Sequence, residues 1–299
     1  MKILITGGTG FVGSALNARL LELGHAVTVI GSSRTCRLPG HANLSYVSAD
    51  TTKPGGWQQR VADQDALINL TGRTVFHLWT ESYKKSIYDS RILTTRNLVA
   101  ALPERTDAVL LNTSAAGYYG DGGETELTET SACGSDFLAR VCRDWEAEAD
   151  KAAVKGARVV RMRFGVVLGR GGGAMATMKL PFLLGLGGPI GSGNQWFPWI
   201  HLDDLVGAIL FLLTAEECSG AFNFTAPETV RQKAFARQLG ATLHRPAFLP
   251  APAFAMRLAL GEFGASLLQG QKAVPRALSE AGYLFTHPDL DSSLREILG

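Results

Sequence analysis

The sequence predicts an α/β fold: a Rossmann-type, doubly wound parallel sheet joined to a smaller, mainly helical segment. Two observations carry this. Short apolar runs rich in β-branched residues recur through the first half, and helix-period stretches separate most of them. Strands buried on both faces and linked by helical crossovers form parallel sheets with helices on either side. At 299 residues, with 46% hydrophobic and 19% charged, the chain can bury a large core.

In order, the predicted strands are KILIT (2–6), AVTVI (26–30), LSYVS (44–48), ALINL (66–70), AVLLN (108–112) and RVVRMRFGVVL (158–168). Beyond residue 169 the texture changes to glycine-rich GRGGGAMATM and GLGGPIGSG. HLDDLVGAILFLL then reads as one more amphipathic helix and AFNFT (221–225) as one more strand. From Ala226 onward, short helices with interspersed proline dominate. Residues 1–168 plus about 200–225 are assigned to the sheet domain, and about 169–199 plus 226–299 to a substrate domain.

The formal charge is only +2, with Lys and Arg scattered, so neither nucleic acid nor an anionic membrane is expected as a partner; a small-molecule substrate is. LVGAILFLL (205–213) is too short to span a bilayer. MKILITGG has the form of a strand entering a glycine turn rather than of a secretory leader, and the four cysteines form no paired framework. A cytoplasmic location is expected, and no metal site is predicted.

GGTGFVG (7–13) closes the first strand and opens a helix. Gly7 permits the tight turn, Gly10 lets backbone approach a pyrophosphate, and Gly13 lets the helix pack against the sheet. Phe11 and Val12 begin the helix whose amides and partial positive charge suit that anion. The second strand of an NAD site ends in an acid that holds the ribose 2'-hydroxyl. Between Glu22 and Asp50 this chain has none, and its strand end instead offers Ser32, Ser33 and Arg34, with Arg37 nearby. Hydroxyls and guanidinium suit a 2'-phosphate, so NADP(H) is the expected cofactor.

Ligands of open parallel sheets lie beyond the carboxyl ends of the strands. Asp50, ending the third strand, is placed to accept from the adenine amino group. Leu70, Thr71 and Gly72, ending the fourth, would pass under the ribose and pyrophosphate. Arg91 shares an inward stripe with Ile87, Thr94 and Leu98, so it either finds a carboxylate or reaches a phosphate.

With GGTGFVG, ALINLTG, TSAAGYYG and HLDD in this order, the chain resembles the extended short-chain dehydrogenase/reductases, which include the sugar-nucleotide epimerases. FHLWTESYKKSIYDSRILTTRNLV, GVVLGRGGGAM and LPFLLGLGGPIGSGNQWFPWIHLDDL are similar to one atypical branch, the epimerase family proteins, which carry a small C-terminal domain of unknown function. The resemblance implies an NADP(H)-binding oxidoreductase or epimerase. It also implies a Ser or Thr after the fifth strand and a Tyr-x-x-x-Lys on the next helix, the Lys lowering the pKa of the proton-transferring Tyr. That pair is missing. Leu138 and Cys142 fall at the two positions, Ala115 falls at the hydroxyl position, and no tyrosine in the chain has a lysine four residues later.

Ser114 and Tyr119 remain as weak catalytic candidates. Ser114 is one residue out of register and so points to the other face of its strand, while Tyr119 follows the fifth strand at the expected mouth of the crevice. Backbone from Phe164 to Val166 is expected beside the nicotinamide, and Arg163 is a candidate for an anionic substrate. His201 reads as a structural histidine beside a helix capped by Asp203. GLGGPIGSGNQWFPWIH can line a pocket or pack an interdomain corner. The alternative to an enzyme is a non-catalytic, NADP(H)-binding regulatory protein.

Overall fold

The apolar runs and the helices between them become an alternating α/β chain in the computed structural model, which describes residues 1–299. The chain opens with β1 (Lys2–Thr6), α1 (Phe11–Glu22), β2 (Ala26–Gly31), β3 (Leu44–Ser48), β4 (Ala66–Asn69), α2 (Glu81–Ala100) and β5 (Val109–Ala115). It continues through β6 (Glu126–Leu127), α3 (Phe137–Asp150), β7 (Arg158–Phe164), β8 (Val166–Leu168), α4 (Gly173–Leu183), β9 (Trp196–Phe197), β10 (Trp199–His201), α5 (Leu202–Thr214) and β11 (Gly220–Phe224). The last part holds β12 (Val230–Arg231), α6 (Gln232–Thr242), α7 (Ala253–Ser266), β13 (Lys272–Ala273), α8 (Arg276–Glu280) and α9 (Leu290–Leu298).

Seven strands form one parallel sheet in the order β11-β7-β5-β4-β1-β2-β3. Alternate side chains feed opposite layers, as the two-residue period of a strand requires. Ile3, Ile5, Ile68 and Leu111 pack with α1 and α5, whereas Leu4, Leu67 and Leu110 pack with α2 and α3. Each fully buried Ile or Leu contributes roughly 1.5–3 kcal/mol of transfer free energy, so these two layers dominate the drive to fold.

The expected single strand 158–168 is two strands. Gly165 donates its N–H to Phe224 O (2.9 Å), but Val166 donates to Pro198 O (2.8 Å), and β8 pairs with β10 rather than with the main sheet. A Cβ on Gly165 would lie 2.9 Å from Pro198 O, so the crossing of these backbones requires glycine.

A third apolar cluster joins Leu168, Met175, Phe182, Trp199, Phe235 and Leu294, and therefore gathers β8, α4, β10, α6 and α9. The C-terminal part does not stand apart from the sheet. Leu278 of α8 lies in the same layer as α1 and α5, and Phe263 of α7 packs with Trp79, Tyr83 and Ile87. The expected Asp203 cap of α5 is corrected: His201 is the N-cap, its Nδ1 accepting the Asp203 N–H (3.2 Å). Asp204 is buried and accepts N–H bonds from Thr286 (2.7 Å) and His287 (2.8 Å), clasping the C-terminal segment to α5.

Candidate functional site

At the carboxyl end of β1, Gly7 adopts φ +73°, and a Cβ there would meet Leu70 backbone at 2.8 Å. Gly13 is equally tight, since a Cβ would lie 2.6 Å from Gly8 Cα. Gly10 differs: its Cβ direction meets only Gly7 O, at 3.3 Å, so this side of the turn is open to a ligand. Gly10 is also the N-cap of α1 and supplies no side-chain acceptor, which leaves the first amides, those of Phe11 and Val12 among them, without a side-chain partner. The cradle therefore has the space and the donors a pyrophosphate needs. Phe11 packs its ring against the start of α4. Gly172 and Gly173 would each place a Cβ within 2.6 Å of its ring, so the glycine run before α4 exists to receive that ring.

Past β2, Ser32 and Arg34 are exposed and Ser33 is half-buried. The loop is ordered from within. Thr35 N–H reaches Ser33 Oγ (3.4 Å), and Tyr46 of β3 donates its hydroxyl to Ser33 O (2.7 Å). Gly31 has no side chain because the Tyr46 hydroxyl lies 3.0 Å from where a Cβ would be. Since a trans peptide holds C=O and N–H antiparallel, fixing the Ser33 carbonyl toward β3 aims the Arg34 N–H the other way. Asp50 lies two residues beyond the end of β3, exposed, accepting Thr52 N–H (3.1 Å) and hydroxyl (2.6 Å). The Thr52 hydroxyl, opposed in part by burial, holds its carboxyl below the usual range.

Leu70, Thr71 and Gly72 follow β4 directly, with Thr71 N–H bonded to Asn69 Oδ1 (3.2 Å). Arg91 finds no carboxylate. Its Nη1 donates to the carbonyls of Arg73 (3.0 Å) and Ile87 (3.0 Å), its guanidinium lies 5.1 Å over the Trp145 ring, and it fills the space beneath Gly72. Burial pushes its pKa down. Of the two alternatives for Arg91, the carboxylate is not the one realised.

The catalytic helix is a different environment. Cys142 is buried, and burial together with the Glu146 charge pushes its thiol up to about 12. Leu138 is half-buried, its Cβ 3.5 Å from the Cβ direction of Gly117. One turn further along the stripe stands Glu146, also buried. Its Oε1 accepts from Ser114 Oγ (2.6 Å) and Arg163 Nε (2.9 Å), and its Oε2 from Arg163 Nη2 (2.9 Å). Arg163 donates further to the Tyr119 hydroxyl (3.0 Å) and Glu129 O (3.1 Å), and it lies 3.6 Å over the Tyr118 ring. The reading of Arg163 as a receiver of anionic substrate is corrected: its anion is Glu146, a bidentate pair that more than offsets burial and raises its pKa.

Both catalytic candidates, Ser114 and Tyr119, are buried. Tyr119 is not at the mouth of a crevice but 4% exposed, donating to Asn223 Oδ1 (2.6 Å), with its phenol pushed up by burial to about 12. Ser114, 1% exposed, is committed to Glu146. Val166 is half-buried, with its N–H spent on Pro198 O. Glu129 reaches the outer edge of β11, where its Oε1 accepts the N–H groups of Asn223 (3.0 Å) and Ala277 (3.1 Å).

Sequence reading missed Glu146, Asn69, Asn112, Thr95 and Tyr46. Asn69 Nδ2 donates to Thr95 Oγ1 (2.8 Å) and Asn112 Oδ1 (2.7 Å), tying α2 to the end of β4 and the middle of β5. The available signal was an asparagine at the end of each of two otherwise apolar strands.

His201, Asp203 and His287 bring three donor atoms within 4.8 Å of one another. The imidazoles are stacked 3.8 Å apart at 30°, so their in-plane lone pairs do not converge, and His201 Nδ1 already caps α5. A cation would also face the positive end of that helix.

A parallel sheet with a glycine cradle at β1 defines a dinucleotide-binding protein of the short-chain dehydrogenase type. The chain belongs to the NAD dependent epimerase/dehydratase family, whose model matches residues 3–224; a domain of unknown function, DUF1731, matches residues 251–297. It is 39% identical over 302 residues to the chloroplastic SDR39U1 homologue of Arabidopsis thaliana, covering 100% of this chain and 87% of that one. An epimerase family protein of Staphylococcus saprophyticus is 40% identical, covering 99% and 98%. The crystal structure of human SDR39U1 with NADPH superposes with a TM-score of 0.85 at 37% identity, covering 100% of this chain and 99% of that one. No helix here is long and apolar enough to cross a membrane.

Proposed function

We propose that this protein binds NADP(H) along the carboxyl ends of β1, β2 and β4 and is an oxidoreductase or epimerase that works without a Tyr–Lys proton relay. The observation that carries the cofactor choice is the loop after β2, acid-free and held by Tyr46, with the Arg34 side chain exposed. The human relative's NADPH supports the same reading. Gly7, Gly10 and Gly13 with the first amides of α1 would hold the pyrophosphate. Ser32, Ser33 and Arg34 would take the 2'-phosphate, Asp50 the adenine amino group, and Leu70 to Gly72 would pass beneath the ribose. Arg91, lacking a carboxylate, would add its charge beneath Gly72, and the Val166 backbone would flank the nicotinamide. When bound, NADPH would supply the hydride, and this chain would orient it.

A second reading, a cofactor-binding regulatory protein without turnover, is favoured by one observation: Ser114, Tyr119 and Glu146 all spend their polar atoms on one another or on Arg163 and Asn223. Titration with NADPH and NADH tests the cofactor, and the first reading fails if NADH binds as tightly. Following NADPH absorbance and product with carbonyl compounds and nucleotide sugars separates the two readings, because sustained turnover eliminates the regulatory one.

A further inference from the structure

Fourteen large apolar side chains are exposed, and ten of them fall in three short segments, residues 76–78, 180–186 and 248–258. Exposed apolar residues scattered singly need no explanation, but a concentration of this kind marks a place where something binds. The three segments are joined in a circuit that starts and ends at the cofactor cradle. Phe11 of the cradle seats its ring against Gly172 and Gly173 at the start of α4. The chain leaving α4 is paired to the chain entering α7, with Leu249 N–H bonded to Gly187 O (3.2 Å) and Ala251 N–H to Pro189 O (2.9 Å). The far half of α7 meets the loop after β4, where Phe76 packs edge-on against Phe263 (5.9 Å) and Leu78 Cδ1 lies 3.9 Å from where a Cβ of Gly261 would be. That loop returns through Leu70, whose carbonyl lies against Gly7.

The wall of this circuit is mainly apolar, and Glu262, beside Phe263 on α7, is paired with Lys84 (2.8 Å). Phe254 and Leu258, one helical turn apart on α7, are 73% and 87% exposed, and Phe248 just before them is 77% exposed. Leu180 on α4 and Leu184 at its C-cap repeat the spacing. Residues 71–80, 173–191 and 245–261 contain no Asp or Glu, and their Lys and Arg residues are Arg73, Lys179, Arg245 and Arg257. A sugar is recognised by hydrogen bonds to its hydroxyls, which demands buried or convergent polar side chains. These segments offer leucine and phenylalanine instead. Where the family relay would place a phenol, Leu138 packs in the same apolar cluster as Leu260 of α7 and Leu267 at its C-cap.

We infer that the substrate of this site is a carbonyl compound with an extended apolar chain, neutral or anionic, lying between α4 and α7 with its polar end toward the cofactor edge. The inference rests on the reading of that edge as an NADP(H) site and adds the substrate class to it. It sets this chain apart from its structural neighbours that hold nucleotide sugars.

The test uses the full chain loaded with NADPH and the aldehydes hexanal, octanal, decanal and dodecanal, with UDP-glucose and UDP-glucuronate alongside, measured by calorimetry. Affinity should rise roughly threefold for each added methylene, the ratio expected of a buried CH2, and should exceed that of either nucleotide sugar. Phe254→Ser with Leu258→Ser, both at exposed positions where the fold tolerates a polar residue, should flatten that ladder and leave the NADPH dissociation constant unchanged. Failure of NADPH to bind at all would remove the cofactor reading and this inference with it. Tight NADPH binding with no chain-length ladder, or with a nucleotide sugar preferred, would overturn the inference alone. Conversion of a dimer to a monomer by the same double variant, with the ladder intact, would show that the face joins two copies of the chain, and would equally overturn it.

Discussion

The two halves of the sheet's carboxyl edge have been built to opposite specifications. Around β1 and β2, glycines leave space, α1 begins without a side-chain cap, and Ser32 and Arg34 stand exposed. Around β5 and β7, by contrast, a run of polar side chains is buried and paired: Ser114 with Glu146, Glu146 with Arg163, Arg163 with Tyr119, Tyr119 with Asn223. A group kept for a ligand is left with unmet hydrogen bonds, whereas a group kept for the fold has none to spare. The contrast sets an open end of the edge against a paired one, and it can be broken by experiment at either end.

The largest effect is expected at the saturated end. Glu146→Ala leaves Arg163 buried without its anion, and such a loss costs about 3–5 kcal/mol; urea denaturation should show it, and a loss below about 1 kcal/mol would mean that the network does not support the fold. At the open end, Arg34→Ala with Ser32→Ala should leave stability untouched but lower the preference for NADPH over NADH by about 1.5–3 kcal/mol, roughly tenfold to hundredfold by comparative titration. Leu138→Ala sits between the two. Because Leu138 is only half-buried, it should cost about 1–2 kcal/mol of stability, less than the 2–5 of a fully enclosed leucine, with NADPH affinity retained. Tyr46→Phe removes one hydrogen bond from the loop, about 1 kcal/mol, and should appear as a several-fold weaker NADPH affinity with the NADH value unmoved. If both cofactors weaken alike, Tyr46 supports the sheet and not the phosphate loop.

The smallest effect lies outside both regions. Burial first, and the neighbouring His287 second, lower the pKa of His201, against the pull of Glu296 and Asp203. Just below its ordinary value, about pH 6.5, the folded protein therefore holds fewer protons than the unfolded chain. Stability should fall as pH drops through that value and level off beneath the folded pKa. His25 is shifted in the same direction by its own burial and the N-terminal charge, so His201→Asn, which can still cap α5, should remove part of the slope in a series of melting temperatures.

The open end was legible because its signals are local. A glycine turn between a strand and a helix, and a stretch from Glu22 to Asp50 without acid, can be read without knowing what lies across the fold. The saturated end could not be read in the same way. Glu146 falls on the Leu138–Cys142 stripe of α3, but a lone carboxylate there resembles an ordinary surface residue until β7 brings Arg163 to it. Arg163 itself could be taken for a ligand-binding cation for the same reason. The glycines before α4 read as loop, because the ring that requires them, Phe11, comes from far earlier in the chain. Gly165, which divides one apolar run into two strands of different sheets, is silent until Pro198 arrives beside it. Local backbone chemistry shows in a sequence, while pairings made by tertiary docking do not.

Glu129 has a consequence that concerns the company the protein keeps. An outermost strand offers unpaired N–H and C=O groups on which a strand from another molecule can grow, the usual start of ordered aggregates. At β11 the outward N–H of Asn223 is already taken by the Glu129 carboxylate, and the Asn223 amide spans to the carbonyls of Leu127 and Val274. A crowded solution therefore meets a closed hem on that side of the sheet, sealed by a charge that an incoming backbone would have to displace and desolvate.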